Sequence, residues 1–433
     1  MKNNILISFI LVCTNLFGSA EDHLLLIQSS IDAGEYLIAE VNCETAISEY
    51  DANAALYFVR AQVAVKLDRL DDANKYFIKA IELDNKNENY RLEQEKLSEL
   101  KNGLTNARNT FDSGRIDDAI SEYGHIITKY PENAMVFYKL GRAYKMNHEY
   151  DNAINSFNKA IVLNPFDDKY VNAIKAISND MVKLGNADYR IKEYDSAMDY
   201  YNKAIGYSPQ YAPTYFQVAN VYLKLQDIDK SIESIITGLS YDSSYAKSHL
   251  MLGKLYKRKD NISLAKASIS TAINLDNNYT KAYFELGQIY FNEHNFDFAI
   301  KEYKNAINSD STYKKAYLTL GLCEMSIENY NNAELYYRKA LSIDDEYIEA
   351  YYRLSAVYNL QKKYKEAREM AKKAIYSKQN YAPALYELGF AEMYLCNIVA
   401  AKDAFEKAKK DRSIRQSANE YLKDIDYYTK DCN

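Results

Sequence analysis

The chain has 433 residues, 48% of them hydrophobic, with only 13 glycines and 5 prolines and a formal net charge of −6 from 54 basic and 60 acidic side chains. So few turn formers argue against a β-rich fold, and the mild acidity gives no electrostatic reason to expect nucleic acid as a partner. This length ordinarily means two to four globular domains, unless the chain grows lengthwise as a repeat array.

The N-terminus differs from the rest. Lys2 precedes an apolar run from Ile5 to Cys13, and Gly18-Ser19-Ala20 supplies small residues. This reads as a signal peptide cleaved after Ala20, and its apolar run is too short to span a bilayer. Val12 stands before Cys13, where a lipoprotein would carry a small residue. No later stretch approaches ~18 consecutive apolar residues, so no membrane span is expected after cleavage. The expected location is the periplasm, or the outside, of a bacterium.

From there the chain repeats. Gly253, Gly287 and Gly321 follow one another at 34 residues, Gly389 stands two periods on, and Ala265, Ala299, Ala333 and Ala401 trail them by twelve. Eleven units fit, starting at 20, 54, 100, 134, 178, 212, 246, 280, 314, 348 and 382. Position 20 of the unit is Ala in ten of them, with Ser231 the exception; position 27 is Ala in all but two, Ile126 and Gly238. Position 24 is aromatic in seven (Phe77, Tyr123, Phe157, Tyr201, Tyr303, Tyr337, Phe405), and position 8 is small in all units except the first, where Ile27 stands. Large and small positions lie three or four apart, on one face of a helix.

The pattern resembles the tetratricopeptide repeat, a 34-residue helix-turn-helix with small residues at 8, 20 and 27. Residues 134–167 carry it most fully, with Phe137, Leu140, Gly141, Tyr144, Ala153, Phe157, Ala160 and Pro165; Glu324 and Glu392 depart from it at position 11. The resemblance implies an all-α, right-handed superhelical solenoid that binds other proteins. Asp71, Asp117, Asp151, Asp195, Asp229, Ser263, Asp297 and Asn331 at position 18 are expected to cap the second helix, and Pro131, Pro165 and Pro209 to end it.

Residues 88–99 and 168–177 interrupt the register with helical sequence and should each lengthen the following first helix by about three turns. The expected division is 1–20 signal peptide, 21–99 and 100–177 with one insert each, a 178–415 array, and a capping helix from 416 that presents Tyr421, Leu422, Ile425 and Tyr428 to the last open face.

No catalytic motif is found, and neither a cofactor nor a metal site is expected. His23, His125, His148, His249 and His294 stand far apart; His148 and His294 share a turn position, and His249 reads as a core replacement. Paired acids such as Asp344-Asp345 lie at helix starts. Of the cysteines beyond the leader, Cys43, Cys323, Cys396 and Cys432, only Cys396 with Cys432 is a spatially admissible pair, and buried single thiols are the adopted reading.

In the resembled fold the first helix lines a concave groove through positions 2, 5, 9, 12 and 13. Position 13 gives Arg190, Lys224 and Arg258; positions 9 and 12 give Asn186, Asn220, Lys254, Lys145 and Lys257; position 2 gives Lys247, Lys281 and Lys315. Position 5 interleaves Phe216, Leu250, Phe284, Leu318, Tyr352 and Tyr386. The expected function is a non-catalytic scaffold whose groove holds an acidic peptide or protein partner, amides taking its backbone and cations its carboxylates. A cell-envelope carbohydrate binder and a regulatory subunit of a separately encoded enzyme are the alternatives.

Overall fold

The computed structural model describes residues 19–428 and 430–432, so the expected leader lies outside them except for Ser19 and Ala20. Among the described residues there are 23 α-helices, one terminal 3₁₀ turn and no strand. The chain divides into two compact units, with the boundary between Tyr211 and Ala212.

The first unit holds five hairpins: α1 (Ala20–Asp32) with α2 (Tyr36–Glu49), α3 (Ala54–Lys66) with α4 (Leu70–Leu83), α5 (Glu88–Asp112) with α6 (Ile116–Lys129), α7 (Ala134–Met146) with α8 (Tyr150–Leu163), and α9 (Asp168–Arg190) with α10 (Tyr194–Tyr207). The second holds six: α11 (Ala212–Lys224) with α12 (Ile228–Tyr241), α13 (Ala246–Arg258) with α14 (Ile262–Leu275), α15 (Thr280–Asn292) with α16 (Phe296–Ser309), α17 (Lys314–Ser326) with α18 (Tyr330–Ile343), α19 (Ile348–Leu360) with α20 (Tyr364–Ser377), and α21 (Ala382–Tyr394) with α22 (Ile398–Ala408). A last helix, α23 (Arg415–Tyr428), packs on the final hairpin. These are the eleven units and the cap that the period implies.

Each hairpin closes where small residues meet large ones. Every position-20 residue, from Ala39 to Ala401 and including Ser231, is fully buried. A Cβ on Gly141, Gly185, Gly287, Gly321 or Gly389 would stand 2.5–2.8 Å from the position-24 ring of its own hairpin. The ring therefore occupies the space that glycine leaves. Where the small residue is missing, the large one is missing too: Ile27 faces Cys43, and both are fully buried.

Both inserts are helical and run without a break into the first helix of the next repeat, giving α5 25 residues and α9 23, against 13 for α3. Residues 99 and 177, where the register breaks, lie inside these helices. Within the first unit there is also contact between repeats that a nearest-neighbour array keeps apart. The buried Asp68 carboxylate, in the α3–α4 turn, accepts from the Met135 amide at 3.2 Å and from the Tyr170 hydroxyl, 102 residues away. Lys66 meets Glu132 at 2.7 Å.

The turn inside the hairpin is left-handed at position 15 in every repeat: Gly34 and Gly114 in the first unit, but also Asp68, His148, Lys192, Gln226, Asp260, His294, Glu328, Lys362 and Cys396. That residue sends the chain into the second helix two residues earlier than expected, with the cap at position 16 and the first helical residue at position 17. Asp71, Asp117, Asp151, Asp195, Asp229 and Asp297 are therefore not caps but second helical residues, where their charge meets the positive end of the helix dipole. The side-chain caps stand at position 16 instead, as Asp227, Asn261 and Asn329. Nothing lies within 4 Å of a Cβ built on Gly34, whose φ is +75°. Gly34→Ala should thus lower stability by about 1–2 kcal/mol through the backbone alone, read as a shift of the urea midpoint.

The cysteines require one correction. Cys43 and Cys323 are free and buried, with thiol pKa values pushed up to about 12, chiefly by burial. Cys396 and Cys432, however, form a disulfide, Cα to Cα 5.4 Å, that ties the end of the chain to the turn of the last hairpin. The sequence showed only that the pair was admissible; packing of α23 on α21 and α22 brings it together.

Candidate functional site

The first helix of each hairpin carries the expected groove residues, and their neighbours decide which remain available. In the second unit Lys224 and Arg258 are the last residues of α11 and α13, exposed, and without an ion pair among the described residues. At a helix C-terminus a cation is also favoured by the dipole, which gives these positions a structural reason to be basic. Lys247, Lys281 and Lys315 are exposed as well.

Other members are engaged within the chain. Lys254 and Lys257 both reach Glu285 of α15, at 3.0 and 2.6 Å. Burial raises the Glu285 carboxyl, but hydrogen bonds from the two ammoniums outweigh it and hold the pKa below the usual range. The Asn220 amide donates to the Phe216 carbonyl at 3.0 Å, one turn back on its own helix. Phe216 sets its ring against Tyr245; buried Phe284 lies 5.6 Å from Tyr303 and 5.3 Å from Tyr313; Tyr352 meets Tyr381 at 5.5 Å and carries the Arg353 guanidinium over its face at 4.6 Å. In the first unit Asn186 accepts from the Tyr201 hydroxyl at 2.7 Å, Lys145 meets Asp180 at 2.8 Å, and Arg190, the last residue of α9, is exposed.

Position 6 was missed. It faces position 12 of the preceding repeat: Glu285 faces Lys257, and Glu387 takes the Asn359 amide at 2.7 Å. Residue identity at this position changes from Met251 to Glu285, Thr319, Arg353 and Glu387 along the array, so no periodic signal marks it. Burial pushes the Glu387 carboxyl up to about 7, against the opposing pull of Asn359 and Arg353. The folded state therefore prefers the protonated acid. Its stabilising preference is full below the ordinary carboxyl range and is lost as pH rises towards 7. Glu387→Gln should consequently stabilise the chain more at pH 7.5 than at pH 5, by up to roughly 3 kcal/mol at 1.36 kcal/mol per pKa unit; urea midpoints at the two pH values measure it.

The departures at position 11 are buried but satisfied. Glu324 accepts from Asn329 at 2.9 Å, and Glu392 accepts from Asn397 at 2.7 Å. His148 and His294 occupy left-handed turns, as the shared turn position implied. His249 is not in the core: it is half-buried, and a ring nitrogen stands 2.9 Å from the Ser243 carbonyl oxygen. Among the described residues no three His, Cys, Asp or Glu are placed to hold a metal ion, and no helix is long and apolar enough to cross a membrane. The first unit also contains a pocket of about 410 Å³ with Ile31, Val63 and Leu97 in its walls and Gln28, Gln62 and Lys66 among its polar groups.

Hairpin geometry, period and close-packed small residues define a class, the α-helical interaction repeat. Comparison with known sequences agrees: the tetratricopeptide repeat family matches residues 54–87, 134–167, 181–211 and every 34-residue unit from 212 to 381. The matches span well over half of the sequence, and the chain belongs to that family. No curated protein matches it. Among solved structures it is similar to MamA, with 27% identity over 38% of this chain and 96% of that one, TM-score 0.36. It is also similar to the C-terminal part of a repeat-containing protein from Cytophaga hutchinsonii (20% identity, 55% and 98% covered, TM-score 0.47) and to the Cut9–Hcn1 assembly (15%, 87% and 91%, 0.41).

Proposed function

We propose that the chain is a non-catalytic scaffold, exported to the bacterial periplasm or cell surface, that binds an acidic peptide or protein segment along the first helices of its repeats. The observation that carries this reading is the pair Lys224 and Arg258, exposed at identical repeat positions and without an ion pair among the described residues, while the neighbouring Lys254 and Lys257 share the Glu285 carboxylate. Cations left without internal partners are the ones able to exchange water for a partner's carboxylates. Arg190 holds the same position in the first unit. Aromatic side chains at position 5 fit the reading as apolar anchors at the edge of the charged strip, although packing within the chain already engages most of their surface. That engagement weighs against a carbohydrate platform, which needs open ring faces. The Cys396–Cys432 disulfide supports export, since such bonds persist in oxidising compartments.

The test is an affinity capture from envelope extract with the chain and with its Arg190→Glu/Lys224→Glu/Arg258→Glu variant, matched for melting temperature. One partner retained by the parent and lost by the variant supports the strip. Identical capture by both would sink it. N-terminal sequencing of the protein from its native host should begin at Glu21.

A further inference from the structure

The pocket of about 410 Å³ in the first unit lies between α3 and α5, and its apolar wall is Ile31, Val63, Val65, Phe77, Leu97 and Leu100. The first insert builds part of it. Residues 88–99 carry Glu93, Lys96 and Leu97 into the lining, and an ordinary 34-residue unit has no counterpart for them. The insert is anchored by Tyr90, whose ring stacks on Phe58 at 4.6 Å, while Leu97 and Leu100 are each 3% exposed. The wall thus stands on packed helices.

Two further features limit what can enter. First, the charges at the rim are already matched. Lys66 meets Glu132 at 2.7 Å and Lys96 meets Glu93 at 2.8 Å, so neither ammonium is left for an anion. A charged guest would surrender its hydration without gaining a free counter-charge. Second, the walls are tied together. The loop after α6 holds α3 through Glu132 and holds α5 through Tyr130, whose hydroxyl donates to the Lys96 carbonyl at 3.1 Å. A helix is about 10 Å across, so seating one between α3 and α5 means breaking both ties. A small molecule breaks neither. Ligand pockets ordinarily hold roughly 300–1,000 Å³ and are mostly apolar, with a few polar groups that orient the guest. Gln28 donates its amide to Asp32 at 2.8 Å. Gln62 is half-buried and has no side-chain hydrogen bond among the described residues, so both ends of its amide are open.

We infer that this pocket binds an uncharged small molecule with an apolar body and one hydroxyl or amide head. The body packs against Val63, Phe77 and Leu97, and the head exchanges hydrogen bonds with Gln62, which can both donate and accept. The inference goes beyond the partner-binding reading and does not depend on it, since Lys224 and Arg258 belong to the other unit.

Fluorescence titration of the full chain with N-phenyl-1-naphthylamine, an uncharged probe that brightens in apolar surroundings, tests it. One probe per chain should bind, and 1-decanol should displace it. The sulfonated relative, 1-anilinonaphthalene-8-sulfonate, should bind about tenfold or more weakly, because its charge finds no free partner. Val65→Trp grows an indole into the cavity from a half-buried position and should cost about tenfold or more in probe affinity, with the helical signal intact. Gln62→Leu should weaken 1-decanol about fivefold, the worth of one neutral hydrogen bond. Lys365→Glu, an exposed change in the second unit, should alter neither. Hydrogen exchange on the parent needs no variant: 1-decanol should slow amides of α3 and α5 and none in the second unit. No binding, more than one probe per chain, undiminished binding by Val65→Trp, equal binding of the sulfonate, or no slowing in α3 and α5 would overturn the site. So would displacement of the probe by a Leu-rich helical peptide at the concentration where 1-decanol acts, which would make the pocket a side-chain socket for a partner. None of these outcomes touches the Lys224 and Arg258 reading, which its own capture experiment decides.

Discussion

Truncating Phe157 to alanine should destabilise its hairpin by about 3–5 kcal/mol, and enlarging Gly141 in the same chain should return part of that loss. The Phe157 ring is fully buried and stands where a Cβ on Gly141 would be, 2.6 Å away, with the Ala153 carbonyl oxygen behind it at 3.1 Å. Removing the ring leaves a hole that neither helix backbone can close. Gly141→Leu alone should overpack, by roughly 1–3 kcal/mol, because the buried ring already fills the space the leucine would enter. Joined to Phe157→Ala, the same leucine fills the hole from the opposite helix. The chain already uses this inverted arrangement in its first repeat, with Ile27 at the small position and Cys43 at the large one. A double-mutant cycle on urea unfolding measures the coupling, and strict additivity would show that positions 8 and 24 do not share one cavity.

Reducing the Cys396–Cys432 bond should loosen the C-terminal end by about 3–4 kcal/mol, the loop entropy of a cross-link spanning 36 residues. The bond is not the cap's sole support. Tyr421 stacks on Phe405 at 5.5 Å, and Ile425 is 2% exposed within the same cluster. In an array whose repeats contact chiefly their neighbours, the loss should therefore appear locally. Hydrogen exchange in α21, α22 and α23 should accelerate under a dithiol or in Cys432→Ser, while the hairpins of the first unit keep their rates. Unchanged exchange in α23 would mean that its apolar face alone carries the cap. Global acceleration would mean that the array unfolds as one cooperative body.

The two results separate what a linear pattern can encode from what it cannot. Gly141, Ala153 and Phe157 were legible because the same close approach is rebuilt every 34 residues, so each constraint is written many times over. The cap was legible for a related reason: Tyr421, Leu422 and Ile425 continue helical spacing after the last unit has left a face uncovered. The helix caps were misplaced by two residues because the left-handed residue at position 15 is supplied by Asp, His, Lys, Gln, Glu and Cys as well as Gly, so no single residue type marks where the turn closes.

The candidate site was less legible than the fold, and the reason is electrostatic. Lys254 and Lys257 look like Lys224 in the sequence, yet a single carboxylate from the next repeat, Glu285, engages both.

By itself the sequence determined the helical hairpin, its number of copies, its close-packed interior and the helical nature of both inserts, because these depend on the volume and spacing of residues on one helix or its partner. Tertiary structure decided which charges are already paired, that Cys396 meets Cys432, and that Asp68 reaches Tyr170 across the first unit. Those outcomes depend on how one repeat is set against another, where a small change in angle selects a different neighbour and no local periodicity records the choice.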